Sequence, residues 1–188
     1  MYRYDHLSFN KSVVVIDPGE YYATGEDILI STVLGSCVSV VLFDRVLGLG
    51  GINHYMLPGA MDDRDYARAS KVEQARYGLH AMEQLLAQLS RLGSSLRKLE
   101  AKVFGGGAVL KLTSRSRLNV SQDNVDFALS YLEKKGIPIL ATDVLGTQGR
   151  KLFFEPNTFK VKVKRLTATA AAPVIETEKE IIREVLPN

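Results

Sequence analysis

Cysteine is almost missing: Cys37 is the only one in 188 residues, so no internal disulfide can form. Three histidines, His6, His54 and His80, are scattered along the chain, and no Cys/His cluster has the spacing of zinc ligands. A long apolar run is missing as well. The nearest approach, residues 28–43, is broken by Ser31, Thr32, Gly35, Ser36 and Ser39 and falls short of the roughly 18–20 apolar residues that cross a bilayer. The start, Met1-Tyr-Arg-Tyr-Asp-His, lacks the apolar core of a secretory signal. These absences predict a cytoplasmic protein with a reduced thiol and no direct membrane insertion. Nor is either charge in strong excess. The 24 Lys and Arg against 21 Asp and Glu leave +3, and no dense basic run carries interleaved aromatics, so nucleic acid is not an expected partner.

What is present is the balance of an ordinary globular protein, 46% hydrophobic and 24% charged. One domain over residues 1–166 is the expectation, long enough to bury roughly two-thirds of its unfolded surface without a staple. Residues 167–188 read as a flexible tail. Residues 167–173 have an Ala/Thr-rich linker composition, and residues 176–186 form a short charged helix whose only apolar group is Ile181, Ile182, Val185 and Leu186. Alone, such a helix is marginal. There is no internal repeat and no strong apolar patch pattern, so a monomer is expected.

Short β-rich runs occupy residues 12–16, 28–33 and 38–43, and a Gly-rich apolar segment at 48–57 returns from a break at 44–47 as the second arm of a hairpin. Val72, Ala75, Leu79, Met82, Leu86 and Leu89 follow one another at helical steps before Gly93. Further strands are read at 99–104 and 137–143, a helix at 121–135 around Val125, Leu129 and Leu132, and a closing hairpin at 150–154 and 159–166. About eight strands with two long helices predict an α+β fold with mixed β-sheets. Asp62, Asp63 and Asp65 have no partner spacing for calcium or acid–base work and read as a solvated loop. The Gly105–Gly107 run lacks a phosphate-loop pattern and reads as a close-packed turn.

The chemistry centres on Cys37, which follows Gly35-Ser36 and opens a strand, and on His54 in the returning arm. A four-residue loop at 44–47 pairs Phe43 with Gly48 and sets Cys37 opposite His54; a two-residue loop leaves them diagonal on one face. Directly opposite Cβ atoms lie ~4.5–5.5 Å apart, so thiol and imidazole can meet. A partner imidazole turns a thiol into a nucleophile for carbonyl carbon, and backbone N–H groups near residues 35–37 are candidate oxyanion donors. Ser31 and Thr32 are hydroxyls placed to orient the imidazole. Against this stands a plainer reading, in which Cys37 is a small buried hydrophobe, His54 a hydrogen-bonded structural residue, and Ser31 and Thr32 ordinary strand residues.

The segments Leu34-Gly35-Ser36-Cys37-Val38 and Gly51-Ile-Asn-His54-Tyr-Met-Leu-Pro58 resemble the signature of the CheD family of chemoreceptor glutamine deamidases. The resemblance extends to Ala101-Lys-Val-Phe-Gly105-Gly-Gly107, to Asn124 and to Gly149-Arg150-Lys151-Leu152, covering roughly residues 10–166. It implies hydrolysis of glutamine side chains on methyl-accepting chemotaxis receptors, with Cys37 as nucleophile, His54 as general base and acid, and no metal or organic cofactor. The family's third residue is a Thr six positions before the Cys, where this chain has Ser31, with Thr32 beside it; which hydroxyl orients His54 stays open. The late loop, Asp143-Val-Leu145-Gly146-Thr147-Gln148, departs from the family's Gly-Gly-Asn. The resemblance further implies mixed β-sheets packed as a sandwich with flanking helices, a fold similar to the catalytic domain of deamidating necrotizing-factor toxins, and a CheC-type phosphatase as partner. Two other activities compete: a non-catalytic regulatory protein that docks to receptors or such a phosphatase, and a cysteine peptidase.

Overall fold

Ten strands form two five-stranded sheets in the computed structural model, which describes residues 1–60, 71–74, 76–109 and 119–185. The first sheet takes β1 (Tyr2–His6), β2 (Lys11–Val15), β4 (Leu29–Leu34), β9 (Arg150–Glu155) and β10 (Lys160–Arg165), in that order. The second runs β3 (Glu20–Thr24), β6 (Leu49–His54), β5 (Val38–Asp44), β7 (Leu99–Gly105), β8 (Ile139–Val144). Both are mixed, since β2 pairs with β4 and β7 with β8 in parallel while the other neighbours are antiparallel. Three helices flank them: α1 (Gly78–Arg91), α2 (Val120–Lys134) and α3 (Ala168–Val185). The expected α+β sandwich is therefore present.

β5 explains the layering. It is buried along its whole length, including its two polar residues, Ser39 and Asp44. Successive side chains point to opposite faces. Val38, Val40 and Leu42 pack with Ala81, Met82 and Leu85 of α1 and Val125 and Leu132 of α2, whereas Val41 and Phe43 join Ile30, Leu152 and Phe154 of the first sheet. Two apolar layers result, one between the sheets and one between the second sheet and α1 and α2.

Several elements differ from the sequence expectation. The edge strands β1 and β3 bring the count to ten rather than about eight. α1 begins at Gly78, after a separate helical turn at Lys71–Gln74, and it buries Leu85 where periodicity favoured Leu86. Gly78 lies flat against Phe127, where a Cβ would come within 2.5 Å of the ring. Ala75 and the acidic loop with Asp62, Asp63 and Asp65 lie outside the described residues, as does the side chain of Val72. The chain after residue 167 is not a linker followed by a shorter helix; it is helical from Ala168, through Pro173, and buries Ala171 and Glu178. The side chains of Ile181, Ile182, Val185 and Leu186 are likewise outside the described ones. No helix among the described residues is long and apolar enough to cross a membrane.

Candidate active site

β4 belongs to one sheet and β5 to the other, so the chain changes sheets within Gly35, Ser36 and Cys37. The crossing directs Cys37 into the layer between the sheets, where it is fully buried. His54 ends β6 and is buried too.

The hairpin register corrects the expected pairing of these two. Val41 faces Ile52 and Val38 bridges Tyr55, so Ser39 stands opposite His54 and Cys37 lies one diagonal step away. The turn is shifted because Asp44 stays in β5. Its carboxylate accepts the N–H groups of Val46 and Leu47 at 2.9 and 3.1 Å and the Ser94 hydroxyl at 2.8 Å, which moves the four-residue loop to 45–48. Gly48, at φ +65, completes it. Residues two apart on a strand share a face, so Cys37 and His54 still look into the same layer.

Strand parity also separates the two hydroxyls. Ile30 and Leu34 of β4 face the layer between the sheets, and Thr32 falls with them. Its Oγ1 lies 2.8 Å from His54 Nδ1 and donates to the Ile16 carbonyl at 2.8 Å. One hydroxyl has one proton, so the donation to Ile16 obliges Thr32 to accept from His54 Nδ1–H. The Nε2 lone pair is left free, and that buried atom has no hydrogen-bond partner. Ser31 is equally buried, but its hydroxyl donates to the Leu152 carbonyl at 2.8 Å and does not meet His54.

Glu178 of α3, fully buried, completes the cluster. The Cys37 sulfur, a His54 ring nitrogen and a Glu178 carboxylate oxygen lie within 4.8 Å of one another. The Glu178 oxygens accept Gly35 N–H at 2.9 Å, Ser36 N–H at 2.8 Å and the Ser36 hydroxyl at 2.7 Å. A Cβ at residue 35 would stand 2.6 Å from that carboxylate, so glycine makes the room. Burial pushes the thiol well above its usual range, and the charge of Glu178 pushes it further. Burial also lowers the His54 imidazole to about 3, which keeps it neutral. The resting pair is thus a neutral thiol beside a neutral base, next to two convergent backbone donors.

Residues 56–165 match the family described as CheD chemotactic sensory transduction, which is more than half of the chain. The chain belongs to the CheD family. It is similar to a relative from Shewanella oneidensis named probable chemoreceptor glutamine deamidase CheD 1, 44% identical over 95% of this chain and 84% of that one. A relative from Laribacter hongkongensis, named probable chemoreceptor glutamine deamidase CheD, is 43% identical over 93% of this chain and 82% of its own. Among solved structures, Bacillus licheniformis hypothetical protein YfiH is similar over 67% of this chain and 51% of that one, at 18% identity and a TM-score of 0.40.

The segments that resembled CheD outside the Cys37 and His54 motifs surround the cluster and hold it. Gly105, at φ +115, backs the crossing so closely that a Cβ would lie 2.2 Å from the Cys37 carbonyl. That carbonyl accepts Gly106 N–H at 2.7 Å, and the Gly35 carbonyl accepts Gly107 N–H at 2.8 Å. The expected close-packed turn is therefore present, and it grips both ends of the Gly35–Cys37 crossing. Asn124, buried in α2, donates to the Met56 carbonyl at 2.8 Å and fixes the chain just beyond His54. Arg150 is buried and donates to the carbonyls of Gly105, Asp143 and Leu145, tying the late loop to the glycine turn. Sequence reasoning missed Glu178. Four glutamates occupy the last thirteen residues, and nothing in their spacing singles out the one that is buried.

Proposed function

We propose that this chain hydrolyses glutamine side chains of chemoreceptors to glutamate through a thioester on Cys37. The relatives named as chemoreceptor glutamine deamidases support the reaction, and the Cys37–His54 cluster beside the Gly35 and Ser36 N–H groups is the observation that carries the mechanism.

The sequence of bond changes follows from that arrangement. His54 Nε2 takes the thiol proton as sulfur attacks the glutamine Cδ, and the carbonyl electrons move onto oxygen, held by the Gly35 and Ser36 N–H donors. Collapse of this adduct breaks the C–N bond, and the imidazolium proton leaves with the nitrogen as ammonia. Water then gives a proton to Nε2 and attacks the thioester carbon. The C–S bond breaks, the imidazolium returns its proton to sulfur, and glutamate departs. Throughout, Thr32 holds Nδ1–H, so one tautomer serves both halves of the cycle. A cavity of about 250 Å³ is lined in part by Thr32 and His54 together with Asp17, Lys151 and Thr177. The substrate is the cytoplasmic part of the receptor, which makes the cytoplasm the working compartment.

The test is peptide mass analysis of a receptor cytoplasmic fragment incubated with wild type and with Cys37→Ala. Amide-to-acid conversion at defined glutamines by wild type alone, with the backbone intact, is the expected result. Binding of the fragment with every glutamine unchanged overturns the reading in favour of a docking protein. Backbone cleavage makes the protein a peptidase.

A further inference from the structure

The reaction as written ends with a glutamate side chain beside Cys37, and Glu178 already supplies one. Its two oxygens occupy the backbone donors assigned to the oxyanion, and it comes from the chain's own last helix. We propose that α3 is an intramolecular ligand of the active site, a helix that seats Glu178 in the place of the product carboxylate and competes with the substrate for one docking face. The proposal rests on the deamidase reading and adds the shape of what the site accepts: a glutamine presented from a helix.

The face of α3 that meets the body follows helical spacing. Ala171 and Glu178, two turns apart, are buried; Val174 and Ile175 between them are half-buried, while Ala172, Pro173, Glu176 and Thr177 are exposed. Ala171 comes close to Gly149, where a Cβ would stand 3.4 Å from its methyl carbon. This contact runs as a narrow stripe ending at the reactive cluster, which suits a single helix with one long polar side chain.

The helix is also built to leave. Pro173 interrupts its hydrogen-bond ladder. Glu178 is held by two N–H groups and one hydroxyl, none of them charged, so among the described residues no ion pair anchors the helix there. Its departure removes the negative charge that helps to keep the Cys37 thiol protonated. Arrival of a neutral glutamine in its place would therefore unblock the donors and ease ionisation of the nucleophile together.

Glu178→Gln in the full chain converts the ligand into a substrate. Cys37 sulfur attacks the new side-chain amide carbon at position 178, ammonia leaves, and water hydrolyses the thioester to regenerate glutamate. Peptide mass analysis should find position 178 of this variant converted from amide to acid at a rate independent of protein concentration, and unconverted when Cys37→Ala is added. An amide that persists at position 178 in a preparation that deamidates a receptor fragment overturns the proposal and leaves the deamidase reading standing. If neither glutamine is converted, the deamidase reading fails, and alkylation of Cys37 by iodoacetamide decides whether α3 covers the site. Glu178→Ala should speed that alkylation about tenfold at neutral pH, the gain expected when a state populated to about one part in ten becomes dominant. An unchanged rate overturns the cover.

Discussion

Thr32 has one hydroxyl proton and two neighbours, the Ile16 carbonyl and His54 Nδ1, each at 2.8 Å. The carbonyl can only accept, so the imidazole must donate, and the tautomer at His54 is set by a strand residue outside the proposed Cys37–His54 pair. Thr32→Val removes the acceptor and leaves a buried Nδ1–H without a partner, at a cost of about 1–3 kcal/mol. If that cost falls on orienting the base, kcat for receptor deamidation should drop about tenfold or more. KM should stay near the wild-type value, and Thr32→Ser should restore most of kcat. Ser31→Ala, which removes only a bond to the Leu152 carbonyl, should leave kcat within a factor of about two. An equal loss from both substitutions would deny Thr32 its orienting role. The sequence showed both hydroxyls and could not choose between them, since the choice depends on which face of β4 meets the second sheet. Ile30 and Leu34 reveal that face only once the sheets are packed.

At the scale of elements, the site depends on one sheet-to-sheet crossing and the glycine turn behind it. Gly105 combines φ +115 with backbone contact to Cys37, so Gly105→Ala meets both conformational strain and a clash. A loss of about 1–3 kcal/mol is expected, read as a lower midpoint in urea, with deamidation reduced further in the fraction that remains folded. Wild-type stability and rate in this variant would show that the turn does not hold Cys37 in place. The strands β2, β4 and β5 were legible because they are buried on at least one face and rich in β-branched residues. β1 and β3 were not, for they are edge strands whose mixed exposure dilutes the pattern. The β5–β6 register was misjudged by two residues because Asp44 is polar and resembles a turn residue in sequence. Its capping role depends on Ser94, fifty positions away, which local spacing cannot show.

For the whole molecule, burying His54 couples folding to pH. The folded imidazole is lowered to about 3, against 6.5 for the exposed group. Between those values the unfolded chain binds a proton that the folded one does not, so stability falls as pH drops from about 6.5 towards 3. The slope from this one group approaches about 1.4 kcal/mol per pH unit within that window. His54→Gln, which cannot titrate, should flatten the dependence of unfolding free energy on pH between roughly pH 4 and 6. An unchanged slope would show that His54 is not held neutral. The α+β class with mixed sheets was legible from hairpin and helix spacing, and the packing of the sheets from the family resemblance. The position of α3 was not, because a short acidic helix with few apolar residues gives no sign of where it docks until Gly35 and Ser36 present their N–H groups.

In the proposed mechanism, glutamine hydrolysis passes through the sulfur of Cys37 with His54 as its base. Acid-quenched peptide mass analysis of the enzyme during turnover of a receptor fragment tests it most directly. A Cys37 peptide carrying the fragment's glutamyl segment less ammonia should accumulate when hydrolysis is slowed and be absent from His54→Ala. Deamidation at the wild-type rate by Cys37→Ala, with no such adduct in the wild type, would contradict it.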